Sequence, residues 1–144
     1  MNFKTIIFDA LQKVVSEHGY MASAQNRDIH ERSLTHRLAF YLESSGYFNG
    51  YSIDCEYNRR GIDIKTDDYG KRIYPDIIVH VRGLSDSNLI IIEAKKFNDH
   101  NSEIQEAKTK LYSEKHRDKY QHAFLVIFPE QRCLTIQSSI YEIE

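Results

Sequence analysis

The chain has no tryptophan, two prolines, six glycines and two cysteines among its 144 residues. So few chain breakers exclude a collagen-like or Pro/Gly-rich disordered polymer. Cys55 and Cys133 stand alone, with neither a CxxC nor a Cys/His spacing, so they read as buried free thiols rather than zinc ligands or a disulfide. A long apolar run is also missing, and the first residues open an amphipathic helix with charges at Lys4, Asp9 and Lys13. That pattern is neither a signal peptide nor a membrane span, and it leads us to expect a cytoplasmic protein with no membrane partner. No sign of charge dominates: 19 basic against 21 acidic side chains leave a net charge of −2. A polyanion must therefore be met by a local patch. GxSxG, P-loop and HExxH spacings are absent, and no glycine-rich phosphate loop follows a predicted strand, which removes the commonest serine-hydrolase, nucleotide-binding and zinc-protease sites.

What is present is 41% hydrophobic and free of low-complexity tracts, enough for one domain over 1–144 with its own core. Phe3, Ile6, Ile7, Ala10, Leu11, Val14 and Val15 make an apolar stripe that predicts a scaffold helix over 2–18, inside an N-terminal segment 1–20, with Gly19 as its stop. Asp28 and Glu31 have capping-box spacing, and Leu34, Leu38, Tyr41 and Leu42 continue down one face of a second helix to Ser44. Tyr51, Ile53, Cys55 and Tyr57 alternate with Ser52, Asp54 and Glu56, predicting a strand with the tyrosines inward and the acids solvated. Turns follow at 58–61 and 67–70. Ser102 to Gln105 offers another capping box for a helix ending near Ser113. A strand over 120–128 then returns parallel to its predecessor through that helix, and 133–137 supplies a last short strand.

The centre of this arrangement is YPDIIVHVRGLSDSNLIIIEAKK, residues 74–96. Two β-branched runs, 73–81 and 89–93, flank a turn-forming segment and predict a hairpin. Folded near Ser85 and Asp86, it brings Asp76 to the end that carries Glu93, Ala94 and Lys95. Glu93 and Lys95 then share a face, while Ala94 turns into the core. Two carboxylates so close repel unless a proton or cation intervenes, and oxygen ligands with room for water suit a hard divalent ion. His80 and Arg82 alternate onto the face of Asp76 and could extend a binding surface.

Pro75-Asp76, sixteen intervening residues and Glu93-Ala94-Lys95 resemble the signature of the PD-(D/E)XK nuclease superfamily, the restriction-endonuclease-like fold. The likeness spans about 28–128, with residue-level matches in the hairpin. It implies an α/β fold with a mixed central sheet between helices in the order ααβββαββ. It also implies a nuclease that binds Mg²⁺ or Mn²⁺ through Asp76, Glu93 and the backbone carbonyl of Ala94, with Lys95 catalytic and products bearing 5′-phosphate and 3′-hydroxyl ends. Glu31 is the match for an early-helix acid that reaches the ion, and equally serves as a helix cap. His30 and His36 are lesser candidates for facing a phosphate. Arg59, Arg60, Lys71, Arg72, Lys96, Gln105 and Lys108 are candidate nucleic-acid contacts, whereas Lys110, Lys115, Arg117 and Lys119 read as a solvated face. The expected partner is nucleic acid, DNA ahead of RNA, engaged by a homodimer where both strands of a duplex are cut. The rival expectation is a non-catalytic nucleic-acid-binding or scaffolding module that keeps the fold.

Overall fold

A computed structural model of the chain describes residues 1–22, 31–97, 101–129 and 134–144, with the side chains of 18–22 left aside. The apolar stripe forms α1 (Phe3–Ala22), whose first turn is capped by Asn2 Oδ1 accepting from the Thr5 amide at 3.1 Å. It runs past the expected stop at Gly19. α2 (Glu31–Ser44) buries Leu34, Leu38, Tyr41 and Leu42 as the periodicity required. Asp28, His30 and Cys133 lie outside the described residues.

β1 (Ser52–Cys55) follows, then a ribbon of β2 (Arg59–Arg60) and β3 (Asp63–Ile64) turned at Gly61, where φ is +62° and glycine carries no steric penalty. β4 (Ile77–His80) and β5 (Ile90–Lys96) are the central hairpin; α3 (Asn101–Arg117), β6 (His122–Phe128), the single turn α4 (Ile136–Ser139) and β7 (Ile140–Ile143) complete the chain. The main sheet has the order β1-β4-β5-β6-β7, parallel between β5 and β6 and antiparallel elsewhere. This is an α+β fold with a mixed sheet, and its five strands follow the helices in the expected ααβββαββ order once the β2/β3 ribbon and α4 are set aside.

Helices cover both faces. α1 and α2 pack on the side of Ile77, Val79, Ile90, Ile92 and Ala94, while Ala107 and Leu111 of α3 pack against Ile78, Ile91 and Leu125. β4 is buried along its whole length and β5 everywhere but Lys95, so polar groups in these strands are shielded from water. No described helix is long and apolar enough to cross a membrane.

Several expectations are corrected. α3 begins at Asn101, which puts Ser102 inside its first turn, and it continues a turn beyond Ser113 because Glu114 extends the buried face of Ala107 and Leu111. The last strand is 140–143 rather than 133–137; Ile136 and Ile140 are one helical turn apart, and Thr135 caps α4. Tyr51 is exposed at the start of β1, and so is Cys55 at its end. Asp54 is not solvated: it accepts from Arg82 Nε at 2.8 Å and lies 2.8 Å from His80 Nε2. His80 and Arg82 are thus tied to β1.

The buried His80 ring also stacks edge-on against Tyr57. Burial, outweighing the pull of Asp54, pushes its pKa below the ordinary 6.5. A histidine depressed in the folded state stabilises the fold fully above that ordinary value and loses the contribution as pH falls below it. His80→Gln is therefore expected to flatten the fall in stability as pH drops below 6.5, read by urea unfolding. An unchanged slope would remove His80 as the cause.

Candidate active site

β4 and β5 pair Ile77 with Ile92 and Val79 with Ile90, so the hairpin folds between Leu84 and Ser85. Continued one step, this register sets Asp76 level with Glu93, two residues from the expected placement. An even shift keeps every side chain on its expected face. Ala94 points into the core at 1% exposure, and Glu93 and Lys95 point the other way.

Asp76, Glu93, Ala94 and Lys95 line one cavity of about 380 Å³ together with Glu31, Arg32, Thr35 and His36 of α2 and Cys55 and Glu56 at the end of β1. Each arrives from a different part of the scaffold. Asp76 precedes β4 behind the buried Pro75, and its Oδ2 accepts from the Ala94 amide at 2.8 Å, which ties the carboxylate to the neighbouring strand. Glu93 sits where β5 is enclosed between β4 and β6, at 6% exposure. Glu31 is the first residue of α2. Glu56 has a left-handed backbone, φ +53°, and pairs with Arg32 at 3.0 Å.

The electrostatics are those of too much negative charge in too little water. Burial raises the Asp76 pKa against the opposing pull of the Ala94 amide, Lys110 and Lys95. Burial, and then the charge of Asp76, push Glu93 up to about 7. The cation that meets this charge is Lys110 of α3, whose Nζ lies 3.0 Å from Glu93 Oε1 and 3.1 Å from Oε2. Lys110 is therefore not part of a solvated face. It follows Ala107 and precedes Leu111 and Glu114 on the buried stripe, and a lysine on such a stripe is the sequence signal that marks it. Partial burial, followed by the charges of Asp76, Asp54 and Glu56, pushes the Cys55 thiol up to about 11, so it stays protonated and is no nucleophile at neutral pH.

The remaining candidates are dispersed. Lys71, Arg72 and Gln105 line a separate groove of about 900 Å³ between α3 and the loop before β4, with Tyr69, Tyr74 and Lys110. Arg59 is exposed and turns back onto the Asn58 carbonyl at 2.8 Å. Three others are engaged within the fold. Arg60 pairs with the buried Asp118 and donates to the Thr66 carbonyl at 3.0 Å, holding the ribbon to α3. Lys108 lies over the Tyr141 ring at 4.7 Å, on the β7 side. Lys96 is buried at 5% exposure, which leaves little of it for a phosphate.

Among the described residues, no three His, Cys, Asp or Glu side chains come together closely enough to hold a metal ion by themselves. Glu31 shares the cavity without closing on Asp76 and Glu93 as a third ligand. No family model, no curated protein and no solved structure matches the chain.

Proposed function

We propose that this chain is a metal-dependent phosphodiesterase acting on nucleic acid, DNA ahead of RNA, built on the PD-(D/E)XK pattern. The observation that carries it is the pair of shielded carboxylates, Asp76 and Glu93, sharing one cavity with Lys95. Their chemistry fits Mg²⁺ or Mn²⁺: both groups are oxygen donors, both resist ionisation without a cation, and the cavity leaves room for water. Asp76, Glu93 and the Ala94 carbonyl would hold the ion, with Glu31 reaching it through water. When bound, such an ion withdraws charge from a phosphoryl oxygen and acidifies water.

The side chains do the rest. Lys95, two residues from Glu93 on the same strand face, would align the attacking water and meet the charge that builds on the phosphoryl group. A water oxygen bonds to phosphorus as the bond to the 3′ oxygen breaks, and the departing oxygen takes a proton. The Ala94 amide fixes the Asp76 carboxylate so that its geometry is set before substrate arrives. The test is a cleavage panel over single-stranded, duplex and branched DNA and RNA with Mn²⁺ or Mg²⁺. At least one substrate is expected to be cut, with chelator stopping the reaction; no cutting of any would refute the enzyme.

The groove beside α3 supplies a path for the strand, with Lys71 and Arg72 exposed along it. A side chain that contacts phosphate supports binding irrespective of sequence and releases counterions. Arg72→Ala is expected to weaken binding of a labelled strand and to lower the slope of log affinity against log salt by about 1. An unchanged slope in fluorescence anisotropy would take Arg72 off the path. A duplex presents two scissile phosphates related by a twofold axis, so double-strand cutting would call for two copies of the chain.

One observation favours the second reading, a binding module of the same fold. Lys110 already neutralises Glu93, as a purely structural ion pair would. Cation uptake that depends on Asp76 and Glu93 separates the two.

A further inference from the structure

Lys110 reaches Glu93 across the gap between α3 and the sheet and contacts both of its carboxylate oxygens, at 3.0 and 3.1 Å. A divalent ion held by Asp76 and Glu93 needs lone pairs of that same carboxylate, and it repels an ammonium at contact distance. The two cations therefore compete. Lys110 is free to leave, because its side chain is 37% exposed and hangs on a flexible four-carbon stem.

A destination lies one helical turn further along α3. Glu114 is 1% exposed, and neither of its carboxylate oxygens has a hydrogen-bond partner among the described residues. Burial raises its pKa, with Lys110 the first of the charges that pull it back. Of the other cations near it, Lys65 donates to the Tyr120 hydroxyl at 2.8 Å and Arg117 Nη1 faces Asp68 at 3.4 Å, while Arg117 Nε, 3.9 Å from Asp118, makes no hydrogen bond to Glu114 or to any other described residue. A shielded carboxylate without a donor is costly to keep. Residues four apart on a helix are neighbours on its surface, so the ammonium that serves Glu93 can also reach Glu114.

Resting on the reading of Asp76 and Glu93 as a cation site, we propose that Lys110 is the resident counter-ion of that site and that Glu114 is its second berth, taken up when a divalent ion displaces it. The fold thus holds the Glu93 carboxylate in place while the ion is absent, and the displaced charge is caught inside the protein. Lys110 is a positioning residue in this scheme, and its partner alternates with the state of the site.

Calorimetric titration of Mn²⁺ into the wild type, Lys110→Met, Glu114→Gln and the double variant tests this. Lys110→Met is expected to bind Mn²⁺ more tightly by about tenfold, since the competing charge is gone. Glu114→Gln is expected to weaken binding severalfold in the wild-type background and to have no effect in the Lys110→Met background. Unchanged or weaker binding by Lys110→Met overturns the proposal, and so does a Glu114→Gln effect of equal size in both backgrounds, which would be a distant field acting directly on the ion. A crystal structure of the wild type with Mn²⁺ decides the matter even where Glu114→Gln fails to fold. Lys110 Nζ is expected within hydrogen-bond distance of Glu114, and its persistence on Glu93 beside bound Mn²⁺ overturns the scheme. Mn²⁺ uptake by none of the four proteins overturns the cation site itself, a different outcome from uptake that ignores Lys110.

Discussion

Glu93→Gln is expected to stabilise the metal-free protein at pH 8. Burial first, and then Asp76, raise the Glu93 pKa from 4.5 to about 7, so the folded chain holds a proton there that the unfolded chain releases. Stability contributed by such a group is complete below the unfolded value and is lost as pH rises through the folded one. At pH 8 the wild type carries the whole penalty, and a rise from 4.5 to about 7 corresponds to roughly 3 kcal/mol. Glutamine is neutral at every pH and removes it. The value of about 7 already includes the pull of Lys110, and the buried, less well paired glutamine amide takes back part of the gain, so an increase in Tm of about 5 °C is expected at pH 8, shrinking towards zero near pH 4. Asp76 and Glu114 are raised by burial too, and they tilt the wild-type profile in the same direction. A Glu93→Gln protein less stable than wild type at pH 8 would show that Lys110 more than compensates the buried charge.

Lys95→Ala is expected to abolish cleavage while leaving the fold intact. Lys95 is the one residue of β5 that is not buried, so its truncation removes no core packing. Its charge lies in the cavity with Asp76 and Glu93, where the phosphoryl group would sit. Groups that meet transition-state charge in a water-poor site account for about two to four orders of magnitude in rate. A fall of that size in kcat, with unfolding midpoints matching the wild type, is the expected pattern. Equal cutting by both proteins would remove Lys95 from the mechanism.

The hairpin was legible because a strand repeats every two residues. Once two β-branched runs were joined by a short turn, the faces of Asp76, Glu93, Ala94 and Lys95 followed, and an error of two residues in register left them unchanged. The stripe of α1 and the parallel return of β6 were legible for similar reasons, one from helical period and the other from the handed crossover. Lys110 was legible only in part: its place on the stripe of Ala107, Leu111 and Glu114 turns it inward, but only the approach of α3 to β5 shows that it meets Glu93. Asp54 was misread because alternation tells which face a residue occupies and not what waits there; His80 and Arg82 come from the next strand. Lys96 ends β5 at 5% exposure, and a charged residue at a strand end does not announce such burial in sequence. Lys110 and Asp54 are polar groups whose partners are distant in sequence, which local pattern does not encode.

Everything proposed about the chemistry depends on Asp76 and Glu93 taking up a divalent cation together. The most direct measurement is Mn²⁺ titration by calorimetry of the wild type against Asp76→Asn at pH 8. Saturable binding by the wild type that disappears in Asp76→Asn is the expected result. Binding of equal strength in both proteins, or heat from neither, would contradict it.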